Sequence, residues 1–170
     1  MSLPLQPSDD PRYTTRGALH VPSGQGPTVW TVGDVYTIKA TGAQTNGGLG
    51  LIEATVPAGG GPQPHAHPRD ESFYMLDGEL EFLDGDHRFT AVAGDFIHVP
   101  GGIRHCFLNK RKHAARMLFM FTPAGPEQVI ADYAMPARDG ETPPPPDDAQ
   151  IARFETMIRL AEVVNLPDLS

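Results

Sequence analysis

For most of its length the chain alternates short apolar runs with turn-forming residues. β-prone runs occur at 28–32, 34–40, 50–56, 72–76, 79–83, 87–92, 95–99, 104–108 and 114–121. Glycine, proline, asparagine or aspartate clusters separate most of them. Within 50–56, Ile52, Ala54 and Val56 alternate with Glu53 and Thr55, which predicts a half-buried strand with its even positions inward. Asp77-Gly78 and Asp84-Gly85 are hairpin signals. The run 114–121 is almost continuously apolar; placing Arg116 outside turns Met117, Phe119 and Phe121 inward. Short strands recurring roughly every 8–12 residues with glycine turns predict an all-β sandwich or barrel.

The ends differ in texture. Residues 1–16 are polar and aperiodic and read as an N-terminal arm. A barrel is expected over 17–125, and a helical extension over 126–170. In that extension a short helix is predicted at 126–135, followed by a stiff connector, 138–146, that ends in four consecutive prolines. Asp147 or Asp148 then caps a second helix running to about 164. Ile151, Phe154, Ile158 and Ala161 form one apolar stripe on it, a packing face toward the barrel or a partner subunit.

Composition sharpens this picture. Glycine and proline each number 18 among 170 residues, which favours a turn-rich β fold over a helical bundle. The net charge of −8, without any basic stripe, makes nucleic acid and anionic membrane poor partners. Lys110-Arg111-Lys112 reads as a solvated turn. Cys106 is the single cysteine, so no intrachain disulfide can form. Without the apolar core of a signal peptide or a run of about 20 apolar residues, a cytoplasmic location is expected.

The candidate chemistry lies in three histidines and a carboxylate. His65 and His67 are two apart, so an extended chain turns both imidazoles to one face. Glu71 keeps the same parity, and His105 begins a later strand. A His-x-His pair alone is commonly just a polar strand surface. Three imidazole nitrogens and one carboxylate together suit one divalent transition ion, with Ni, Co, Mn, Fe, Cu and Zn all compatible.

The spacing around these residues forms two patterns. The first is Gly59, five residues, His65-Ala66-His67, three residues, Glu71, six residues, Gly78. The second is Gly94, five residues, Pro100-Gly101-Gly102, two residues, His105, three residues, Asn109. These segments resemble the two defining motifs of the cupin superfamily at every position. The resemblance implies a double-stranded β-helix (a jelly-roll barrel), with His65, His67, Glu71 and His105 as metal ligands. Trp30-Thr31-Val32-Gly33-Asp34-Val35-Tyr36, Gln44-Thr45 and Phe121-Thr122-Pro123-Ala124-Gly125-Pro126-Glu127 are similar to bacterial quercetin 2,3-dioxygenase-like cupins.

Strand parity places Phe73 and Met75 inward after Glu71, and Phe107 after His105, with Tyr36, Ile52, Met117 and Phe119 as neighbours. An apolar, partly aromatic pocket with the metal as its polar end suits a flat substrate carrying one or two metal-binding oxygens. The leading expectation is therefore a dioxygenase acting with O2 on a flavonol or similar aromatic enol, with Glu71 as general base. The alternatives are a metal cupin that cyclises or isomerises a polyketide-type substrate, and a non-catalytic small-molecule-binding cupin. The superfamily also implies a homodimer, with 17–40 and the last helix as contact regions. His98, His20, His87 and His113 are expected in structural or solvated positions. Cys106 should point away from the metal, Asp95 should cap backbone, and Arg104 should face outward.

Overall fold

The computed structural model describes residues 9–31, 33–145 and 147–166. Val32 of the first expected strand, Pro146 of the connector, residues 1–8 of the arm and residues 167–170 lie outside the described residues. A short 3-10 turn, Pro11–Tyr13, precedes the barrel.

Ten strands build the barrel: β1 Thr28–Thr31, β2 Asp34–Ala40, β3 Gly50–Val56, β4 His65–Ala66, β5 Asp70–Asp77, β6 Glu79–Asp84, β7 His87–Val92, β8 Phe96–Val99, β9 His105–Leu108 and β10 Ala115–Thr122. The expected period-2 pattern is realised most cleanly in β2 and β3, whose residues alternate between buried and half-buried. Asp84-Gly85 closes the hairpin β6–β7, but Asp77-Gly78 does not close one: β5 and β6 lie in different sheets, and Gly78 is the corner that carries the chain from one sheet to the other. Gly78 (φ 73°) and Gly85 (φ 61°) supply the left-handed backbone that the corner and the hairpin need.

Two antiparallel sheets face each other. With two further short strands, β11 Met135–Pro136 and β12 Val164–Asn165, one sheet runs β11-β1-β2-β3-β10-β5-β8 and the other β12-β4-β9-β6-β7. Their inner faces meet in an aromatic-rich core in which Phe73, Phe82, Phe107 and Phe119 pack ring to ring. This is the all-β double-stranded β-helix expected of the sequence.

The C-terminal extension is woven into both sheets. Helix α1, Pro126–Tyr133, stops before the expected 135, because Met135–Pro136 (β11) pairs with Trp30 and Val29. Helix α2, Asp148–Leu160, is capped by Asp147 in a capping box with Gln150. It ends short of 164, because Glu162 turns left-handed (φ 57°) and the chain reverses into β12, Val164–Asn165. β12 then pairs with β4, the strand that carries His65. Among the described residues, no helix is long and apolar enough to cross a membrane.

Candidate metal centre

The four candidate ligands come from both sheets. His65 on β4 stands directly opposite His105 on β9. Glu71 on β5 reaches them from the other sheet, and His67 sits in the link between β4 and β5. Their ligand atoms all lie within 4.8 Å of one another.

Local backbone contacts fix these positions. The N–H of Gly102 donates to the carbonyl of His67 at 2.7 Å, and the N–H of Gly101 donates to Asp70 at 2.8 Å. A side chain on Gly101 would collide with the carbonyl of Pro68, so the turn before His105 can approach the His67 segment only as glycine. Gly61 meets the Phe107 carbonyl in the same way. Asn109, the last motif residue, donates to the carbonyls of Val56 and His113 and accepts from the Arg111 N–H. It ties strand ends together and does not touch the ligands.

Hydrogen bonding orients the imidazoles. His65 Nδ1 donates to the carbonyl of Gln63 at 2.9 Å, and His105 Nδ1 to that of Ile103 at 2.8 Å. These bonds leave Nε2 of each ring to the cluster, the tautomer a metal ligand requires. His67 Nε2 and His105 Nε2 lie 2.9 and 3.1 Å from the same oxygen, Glu71 Oε2. His67 Nδ1 is buried without a partner, and Phe121 stands edge-on to its ring.

The charges follow from this packing. Burial alone would raise Glu71, but hydrogen bonds from His105 and His67 overcome it and bring the carboxyl down to about 2. Burial, with His105 beside it, brings His65 down to about 4, so this imidazole is neutral near pH 7. His105 is opposed by burial but raised by Glu71. An ionised carboxylate amid three converging imidazoles is a donor set that fits a divalent transition ion.

A cavity of about 200 Å³ opens onto the cluster. Tyr36, Phe73, Phe107 and Phe119 line it, as expected from strand parity. Ile52, Met75 and Met117, also expected there, do not. Glu71 pairs across the sheet with Phe121 and Phe73 with Phe119, whereas Met75 and Met117 lie one pair deeper, and Ile52 packs opposite Phe119 on β3. All three are fully buried in the core. Parity gives the face a side chain occupies but not its depth along the barrel.

The cavity's other wall comes from α2. Phe154, Met157, Ile158 and Ala161 line it. The apolar stripe thus packs over the barrel mouth and becomes part of the site, with its helical spacing as the signal in the sequence. Met157 completes that face and is the helix residue most deeply buried.

The remaining candidates lie elsewhere. His98 is exposed and bonds Ser72 at 2.9 Å, and His20, His87 and His113 are exposed. Cys106 is buried but does not line the cavity. Asp95 accepts from the Val92 N–H, as expected of a cap. Arg104 donates to the carbonyls of Gly85 and Leu166, anchoring the chain beyond β12. Lys110 and Arg111 pair with Glu81 and Glu79.

The fold and ligand cluster agree with comparisons to known proteins. The family profile described as "Cupin domain" matches residues 52–121. Polyketide synthase CurC of Streptomyces cyaneus is 33% identical over 122 residues, which span 69% of this chain and 74% of that protein. The chain belongs to the cupin family. This cupin is also 25% identical over 145 residues to quercetin 2,3-dioxygenase of Bacillus subtilis, covering 85% of this chain but only 42% of that enzyme. Among solved structures, a predicted oxalate decarboxylase of Thermotoga maritima superposes with a TM-score of 0.57 at 19% identity, over 61% of this chain and 98% of that one. That last likeness is one of fold.

Proposed function

We propose that this cupin is a metal-dependent enzyme that activates an aromatic enol or phenol by removing its hydroxyl proton, and that dioxygen then cleaves the ring. The observation that carries this reading is the position of Glu71. It is the carboxylate of the His65/His67/His105 cluster and the acidic end of a cavity otherwise walled largely by aromatic and aliphatic side chains. A bound divalent ion would supply Lewis acidity that lowers the substrate hydroxyl's pKa, together with open coordination positions.

This chain's residues do the rest. Glu71 accepts the hydroxyl proton; its Oε1 is in neither of the two histidine bonds. Phe73, Phe107 and Phe119 present ring faces and edges against which a flat substrate orients. The α2 residues over the mouth exclude water from the anion so formed. For a flavonol, adding one O2 and opening the ring gives a depside and carbon monoxide. The likeness to the Bacillus quercetin 2,3-dioxygenase supports this substrate class.

A second reading shares the deprotonation but uses no oxygen: Glu71 and the ion promote cyclisation or isomerisation of a polyketide-type substrate. The higher identity to polyketide synthase CurC favours it. Incubating metal-analysed protein with quercetin in air and under nitrogen separates the readings. Loss of quercetin with release of carbon monoxide only in air supports the dioxygenase. Oxygen-independent conversion of a polyketide-type phenol supports the second reading. No turnover of either with any supplied metal contradicts both and points to a binding role.

A further inference from the structure

A second cavity, of about 430 Å³, lies beside the metal cavity. Trp30 of β1, Tyr133 at the end of α1, Met135 of β11 and Ile151 of α2 line it. Two residues, Thr31 and Phe154, line both cavities. Thr31 is 8% exposed, and its Oγ1 is buried without a hydrogen-bond partner. A buried hydroxyl left unpaired costs roughly 1–3 kcal/mol, and because Thr31 itself borders both cavities, a rotation about its χ1 that turns Oγ1 toward them would let a ligand oxygen satisfy it.

Size points the same way. Pockets for drug-sized ligands ordinarily measure about 300–1,000 Å³. The metal cavity, at about 200 Å³, lies below that range by itself. The outer cavity supplies the missing volume, and its Trp30 and Tyr133 are aromatic surfaces suited to a planar ring.

We propose that the two cavities form one elongated site for a planar multi-ring polyphenol. Its reacting hydroxyl lies at the His65/His67/Glu71/His105 cluster, its middle oxygen on Thr31 Oγ1, and its remote ring beyond Phe154 in the outer cavity. This rests on the function proposed above and narrows its substrate class to molecules longer than one ring. Flavonols and aromatic polyketides share that chemistry.

Trp30 is the only tryptophan, so its indole N–H gives a single NMR resonance that reads contact in the outer cavity. Zinc-loaded protein is titrated under nitrogen with quercetin, which would span both cavities, and with catechol, a single ring. Quercetin should shift the Trp30 indole resonance saturably at one equivalent, whereas catechol at saturation should leave it nearly unchanged. Thr31→Val should weaken quercetin about tenfold, and Thr31→Ser, which keeps the hydroxyl, should restore most of the affinity.

Equal shifts of the Trp30 indole resonance by the two probes would overturn the elongated site, and so would Thr31→Val binding quercetin as tightly as wild type. Turnover of quercetin without any shift of that resonance on binding would refute the outer subsite and leave the proposed function standing. A saturable, Thr31-dependent shift without turnover, in air or in its absence, would uphold the subsite and refute the function.

Discussion

The carboxylate of Glu127 occupies the space that a side chain on Gly50 would need. Glu127 lies in the first turn of α1 and is completely buried, and Gly50 opens β3. The carboxylate accepts the N–H of Gly42 at 2.8 Å and that of Gly125 at 2.7 Å. It therefore seats α1, and with it the chain leading to α2, on the end of the barrel that carries the His65/His67/Glu71/His105 cluster. Glu127→Ala removes the acceptor from two N–H groups and should cost about 2–4 kcal/mol of stability in urea unfolding. Gly50→Ala should destabilise in the same direction by displacing that carboxylate. Unchanged urea midpoints in both variants would contradict this role.

Asp34 gives a pH dependence with a definite sign. It is fully buried at the start of β2, and Tyr36 donates to its Oδ2 at 3.3 Å, while Oδ1 has no partner. Burial pushes its carboxyl from 3.8 up to about 7, against the smaller effects of the Tyr36 hydroxyl and the Gly61 N–H. Between those values the folded chain keeps a proton that the unfolded chain has released. Stability from this group is complete below about pH 4, declines as pH rises, and levels off above about 7. Asp34→Asn should therefore gain on wild type as pH rises, by roughly 2–4 kcal/mol at pH 8 relative to pH 4. A pH-independent difference in unfolding free energy would count against it.

Glu71→Gln tests the base. The amide is nearly isosteric and still offers an oxygen, so part of the metal should remain bound. It cannot take a proton, so kcat should fall roughly 10²–10⁴-fold, with a smaller change in KM. Steady-state kinetics at measured metal content decides the matter, and wild-type kcat in that variant would remove Glu71 from the proton transfer.

Much of the site was legible because strand periodicity and turn chemistry are local properties. His65, His67 and Glu71 share a parity, and the glycines and proline around His105 mark the turn that brings it to them. The structure gathers these four into one cluster. Tyr36, Phe73, Phe107 and Phe119 followed from the same alternation. Ile52, Met75 and Met117 share it too but lie in the packed core away from the cavity, since their distance from the ligands depends on register between strands.

The extension was harder to read because its packing is non-local. The stripe on α2 showed that the helix had an apolar face but not what the face met. Met135–Pro136 and Val164–Asn165 are too short to stand out as strands, and only pairing with β1 and β4 makes them so. The outer cavity exists only because α1, β11 and α2 assemble beside Trp30, and no spacing along the chain encodes that.

We propose that His65, His67, Glu71 and His105 together hold one divalent ion. Zn²⁺ titration of metal-free protein, followed by X-ray absorption of the loaded form, tests it directly. One equivalent should bind per chain, with a shell of three imidazole nitrogens and one oxygen at about 2.0–2.2 Å, before any added water. His65→Ala and His105→Ala should each weaken binding at least about tenfold. Full-affinity binding in those variants, or a loaded shell without imidazole, would contradict it.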